Sequence, residues 1–167
     1  MLRVQKVLVA TDFSLCSEVA RNYAVALARR LHACLHVLHV VEASSLEGFE
    51  VGGYVTTIGS VQRELEESES AQLDEWIADA GCRDLPVKAD LVMLQAPAQA
   101  IVEYATRERI DLIVIGTHGR VGLAHLVMGS VAEKVVRTAP CPVLTVRTQE
   151  RDFVSVASIA DRAASVA

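Results

Sequence analysis

Three glycines and a serine carry the strongest chemical signal in the chain: Gly116, Gly119, Gly129 and Ser130, in the pattern Gly-x2-Gly-x9-Gly-Ser. They separate an apolar run, Asp111-Leu112-Ile113-Val114-Ile115, which reads as a buried strand, from Ser130-Val131-Ala132-Glu133, which reads as a helix start. A glycine-dense loop entering a helix presents main-chain N–H groups where the helix dipole favours negative charge, the arrangement that holds phosphate. In this reading Ser130 is the N-cap and Glu133 its capping-box partner. The loop is not a Walker A loop, because no Gly-Lys-Ser/Thr occurs, and its glycines miss the Gly-x-Gly-x-x-Gly dinucleotide fingerprint. By itself the spacing fits two arrangements: an anion cradle, or a tight turn in which Ser130 only caps a helix.

The elements that must position this loop alternate between two periodicities. Residues 4–10 read as a strand; after the turn Thr11-Asp12-Phe13-Ser14, a helix to about residue 32 carries Val19, Ala20, Tyr23, Ala24, Leu27, Ala28 and Leu31 at helical spacing. A strand over 34–41 follows, then an irregular stretch with Gly48, Gly52, Gly53 and Gly59. A helix over 61–80 carries Val61, Leu65, Leu73, Trp76, Ile77 and Ala80 on one face and stops at Gly81. The acidic face of that helix, Glu64, Glu66, Glu67 and Glu69, reads as solvated, because nothing in the sequence gathers these carboxylates inward.

A strand over 87–94 is interrupted by Lys88 and Asp90, which suits an edge. Pro97 opens a helix to about residue 109, the strand over 111–115 leads into the glycine loop, and the helix from Ser130 ends before Pro140. A fifth strand over 141–147 has two prolines at its entrance, again an edge signal. This alternation predicts an α/β fold: a parallel sheet with helices on both faces and right-handed crossovers. In such sheets ligands bind beyond the carboxyl ends of the strands at the topological switch point. If the first and fourth strands are neighbours there, Thr11-Asp12 and residues 116–119 face one crevice.

Composition narrows the partners. The 167 residues suffice for one domain, read as 1–148, with a tail over 149–167 that is either frayed or a short helix docked through Phe153, Val156 and Ile159. Hydrophobic residues make up 51% of the chain, yet no uncharged apolar run is long enough to span a bilayer. A net charge of −5, with no lysine/arginine block and 4% aromatic residues, argues against nucleic acid as a partner. The opening Met1-Leu2-Arg3-Val4-Gln5-Lys6 lacks a secretory pattern, which predicts the cytoplasm. Cys16, Cys34, Cys82 and Cys141 are scattered and read as reduced, mainly buried thiols. His36 and His39 fall on opposite sides of their strand, so with His32 they do not form a zinc site by spacing.

Taken together, Val7-Leu8-Val9-Ala10-Thr11-Asp12-Phe13-Ser14, Leu38-His39-Val40-Val41, the run from Asp111 to Gly119, Gly129-Ser130-Val131-Ala132-Glu133 and Pro140-Cys141-Pro142-Val143-Leu144 resemble the universal stress protein family over nearly the whole chain. The resemblance implies a three-layer α/β/α sandwich of the adenine nucleotide alpha hydrolase-like type. Its five parallel strands would run in the order 3-2-1-4-5, with a homodimer formed through the fifth strands. It also implies binding of ATP, or AMP or ADP, with or without magnesium, since members that keep this glycine pattern bind ATP. By position, Ala10, Thr11 and Asp12 would lie against the nucleoside, and the main chain of Val40 would read the adenine edge. Ile115 and Gly116 would floor the ribose, while Gly119, Arg120, Gly129, Ser130 and Val131 would hold the phosphates.

Two positions stay open at this level. Asp12 suits a ribose hydroxyl or a metal-bound water, or else a helix cap; Gln95, before Ala96-Pro97 where the family often has glycine, would narrow the site, donate to the ligand or point away. Three functions follow: an ATP-dependent stress-response switch read by a protein partner; a slow ATPase or phosphoryl transferase using His118, Arg120 and Asp12; or a dimeric interaction module that ignores nucleotide. The phosphate cradle without an evident catalytic set favours the first.

Overall fold

The computed structural model describes residues 3–42, 58–79, 81–93, 95–119 and 128–148. The expectations for Arg120, for Gly48, Gly52 and Gly53, and for the tail fall outside these residues. Five strands, β1 (Lys6–Thr11), β2 (Cys34–Val41), β3 (Val87–Met93), β4 (Leu112–Gly116) and β5 (Val143–Val146), alternate with four helices. The helices are α1 (Leu15–Leu31), α2 (Ile58–Asp79), α3 (Pro97–Glu108) and α4 (Ser130–Thr138). All neighbouring strands are parallel, in the order β3-β2-β1-β4-β5. The order and both edge assignments are as expected. β3, the strand carrying Lys88 and Asp90, and the short proline-led β5 close the sheet on its two sides.

The period-2 alternation of side chains divides the core into two layers. Val7, Val9, Leu35, Val37 and Val114 pack with Ala20, Ala24 and Ala28 of α1 and with Leu73 and Trp76 of α2. Leu8, Ala10, Leu38, Ile113 and Ile115 pack on the opposite face with Ile101, Tyr104 and Ala105 of α3 and with Ala132 and Val135 of α4. Alanines on α1 and α3 let these helices lie close to the sheet. The four cysteines are free, Cys16 and Cys82 buried and Cys34 and Cys141 half-buried. No helix among the described residues is long and apolar enough to cross a membrane.

Helix boundaries differ from expectation in two places. α2 begins at Ile58, three residues early, and Gly81 then takes a left-handed φ of 62° that ends the run. In α4 the N-cap is Gly129, not Ser130. Gly129 has an extended φ of −73° and ψ of 157° with no side-chain capping bond, and its carbonyl accepts from the Glu133 N–H at 2.9 Å. The expected capping box is therefore absent, and Ser130 is the first helical residue with its side chain exposed.

Candidate functional site

β1 has β2 on one side and β4 on the other, so the chain winds outward in both directions from β1, and the crevice expected at that switch point is present. It has a volume of about 470 Å³, within the range of small-molecule sites. Ala10, Thr11, Asp12, Val40, Ile115, Gly116, Gly119, Gly129, Ser130 and Val131 all line it. Ten expected residues from four separate stretches of sequence are thus brought to one cavity by topology. Gln95 is exposed and is not among the lining residues, so of its three readings it points away.

The wall at β1 is a woven turn. The Phe13 N–H donates to Thr11 Oγ1 at 2.9 Å, and Asp12 Oδ1 accepts from the Ser14 N–H at 3.1 Å and from Ser14 Oγ at 2.6 Å. Ser14 is the N-cap of α1, accepting from the Ser17 N–H. The Ser17 hydroxyl proton goes to Ser14 O at 2.8 Å, so the Thr11 hydroxyl donates in its 3.1 Å contact with Ser17 Oγ. Asp12 braces this turn without being the cap itself. Phe13 sits at a φ of 61°, an uncommon conformation for a bulky residue. Its ring lies 4.3 Å from His39 and 6.5 Å from Trp76, contacts that hold the turn in place.

The opposite wall depends on close approach. A Cβ on Gly116 would stand 2.9 Å from Cys16 Sγ and 3.0 Å from two Cys16 main-chain atoms. One on Gly119 would stand 2.7 Å from Asp12 Oδ2, and one on Gly129 3.2 Å from Thr117 O. None of the three has a positive φ; absence of a side chain, rather than left-handed backbone, is what these positions require. Thr117, almost fully buried, donates its N–H to Val146 O at 2.9 Å and accepts the Gly129 N–H at 2.7 Å. Thr117 is thereby pinned to β5, and the two ends of the loop to each other. His118 also lines the crevice, with Nδ1 3.0 Å from Thr117 Oγ1.

At the β2 end the strand continues past its last β1 partner, Thr11↔His39, so Val40 and Val41 run on along the crevice. Beside them is a feature absent from the expectations. His39, buried, holds Thr11 O with Nδ1 at 2.8 Å and places Nε2 3.1 Å from Glu69 Oε2. Glu64, Glu66 and Glu67 are exposed as expected, but Glu69 is turned inward and lines the crevice. The available signal was His39 itself: a buried strand imidazole requires polar partners.

The geometry defines a class, a doubly wound α/β protein with a crevice at the carboxyl edge of the sheet between the N-terminal ends of α1 and α4. The pattern of the Universal stress protein family matches residues 3–147, and the chain belongs to that family. It is 32% identical over 149 residues to universal stress protein MJ0531 of Methanocaldococcus jannaschii, covering 89% of this chain and 85% of that protein. The solved structure of hypothetical protein MJ0577 superposes with a TM-score of 0.74 at 27% identity, over 90% of this chain and 100% of that one. A universal stress protein solved in complex with cAMP gives a TM-score of 0.63 at 26% identity, over 89% and 100% of the two chains.

Proposed function

We propose that this chain binds ATP in the crevice and acts as a stress-response switch, its glycine loop changing with occupancy so that a protein partner reads the difference. One observation carries the reading: the N-terminal ends of α1 and α4 border a single cavity whose glycines admit a ligand to the main chain. Helix N-termini favour phosphate through their free N–H groups and dipole. The related protein solved with cAMP supports an adenine nucleotide as the occupant.

In this arrangement the phosphates lie at Gly119, Gly129, Ser130 and Val131, with Arg120 supplying a guanidinium. The ribose lies over Ile115 and Gly116 near Asp12, and the base lies along Val40. Among the described residues no three His, Cys, Asp or Glu side chains gather as a metal set. Magnesium accordingly arrives with the phosphates, Asp12 being the carboxylate in reach of them, and retains most of its own water. Residues 1–148 form the nucleotide-binding unit. Two copies join through the free edge of β5.

Calorimetric titration of ATP-magnesium into the wild-type protein and Gly129→Arg tests the assignment. A Cβ on Gly129 would stand a tight 3.2 Å from Thr117 O, so a thermal melt first establishes that the variant is folded. A folded Gly129→Arg that loses binding supports the reading; unchanged affinity contradicts it.

A further inference from the structure

The crevice has two chemically opposite ends. At the β4 side are the N-terminus of α4 and the glycines, which attract an anion. At the β2 side is Glu69, delivered from α2, which lines the crevice; its Oε2 is closed off against His39 Nε2 at 3.1 Å, so the remainder of the carboxylate is what a ligand meets. Only 17% of the Glu69 side chain is exposed. His39 is in turn fixed by Thr11 O and by the Phe13 ring, so the carboxylate is held by a rigid support. An ionised carboxylate accepts hydrogen bonds and donates none. Any ligand group that reaches it must be a donor, and the anionic end of the ligand must lie at the other side.

We infer that Glu69 is a specificity-determining residue of the crevice, selecting a nucleotide whose base presents an amino group over one that presents a keto oxygen or only C–H at that position. The inference rests on the adenine-nucleotide reading above, which places the base along Val40, the residue next to His39. It assigns the discrimination to a side chain rather than to main chain alone. His39 is the positioning residue for that carboxylate and needs no ligand contact of its own.

The test is a cycle of calorimetric affinities: ATP, ITP and purine riboside triphosphate, which lacks the 6-amino group, against wild type, Glu69→Gln and Glu69→Ala. Thermal melts check folding. A hydrogen bond to a charged group corresponds to a preference of about 10- to 100-fold, so wild type should favour ATP over the analogue by at least that range. Both variants should lose about tenfold of this preference. An unchanged ATP-to-analogue ratio, with ATP still bound, overturns the inference and leaves the adenine-nucleotide reading standing. An equal loss for ATP and analogue puts Glu69 on the sugar and overturns it too. If neither variant folds, wild type alone decides one arm: equal affinity for ATP and ITP is incompatible with a carboxylate facing the 6-position. Wild type that binds none of the three at millimolar concentration removes the underlying reading as well.

Discussion

Asp12 and Gly119 meet across the crevice so closely that a single added carbon does not fit: a Cβ on Gly119 would lie 2.7 Å from Asp12 Oδ2. The other carboxylate oxygen is already held by the N–H and hydroxyl of Ser14. The Asp12 side chain therefore cannot swing away without releasing the turn that caps α1.

This contact predicts a coupled pair. Gly119→Ala should weaken ATP binding by about tenfold or more and lower stability somewhat, because the Asp12 carboxylate must shift and loosen the turn before α1, while the global fold is retained. In an Asp12→Ala background the same substitution should add little further loss. A double-mutant cycle by calorimetry measures this coupling; strict additivity would mean that the two residues act separately.

Gly116→Ala should behave differently. Its Cβ would strike the main chain of Cys16 as well as the sulfur, at 3.0 Å and 2.9 Å, and main chain at the start of a helix does not yield. Overpacking of this kind costs about 1–3 kcal/mol. Urea denaturation should show that loss, and Cys16→Ala should restore only part of it, since the backbone contacts remain.

The core beneath β2 holds a relay with a pH signature. Tyr104 donates to Asp90 Oδ2 at 2.6 Å, so its oxygen accepts from His36 Nδ1 at 2.9 Å, which fixes the imidazole tautomer. Burial, then the charges of Lys6 and Lys88, hold the His36 pKa below its ordinary value. The unfolded chain protonates this histidine near pH 6.5 and the native state only at lower pH, so the unfolded state binds more protons within that window. Stability should rise with pH across the window and fall as pH drops below about 6.5. His36→Gln should flatten that slope in denaturation curves taken from pH 5 to 7.5. Tyr104→Phe should cost about 1–3 kcal/mol, because it leaves His36 without its acceptor.

Among the described residues β5 pairs only with β4, and Leu144 on β5 and Val136 on α4 are both exposed. An unpaired apolar edge invites a second strand. Light scattering should find a dimer in the wild-type protein and a monomer in Leu144→Lys. A wild-type monomer at micromolar concentration would remove the β5 assignment.

The architecture was readable because each strand's burial is written in its residue types. Uninterrupted apolar runs mark the central β1 and β4, while Lys88 and Asp90, only partly covered by α3, mark β3 as an edge. The crevice was readable because topology alone brings the end of β1 to the end of β4. Glu69 was not, because its position depends on a partner thirty residues earlier in the chain. On the helix it repeats the spacing of three exposed glutamates, and only the packing of α2 against His39 turns it inward. The α4 cap was misplaced by one residue for a local reason: Ser130 has the better capping side chain, but the extended conformation falls on Gly129, where a Cβ would stand a tight 3.2 Å from Thr117 O.

The most direct test of the central claim is the nucleotide content of gently purified protein, released by acid and identified by chromatography. The account predicts adenine nucleotide in near-stoichiometric amount, or, where purification has stripped it, tight rebinding of ATP-magnesium. Protein that is recovered empty and ignores millimolar ATP would contradict it.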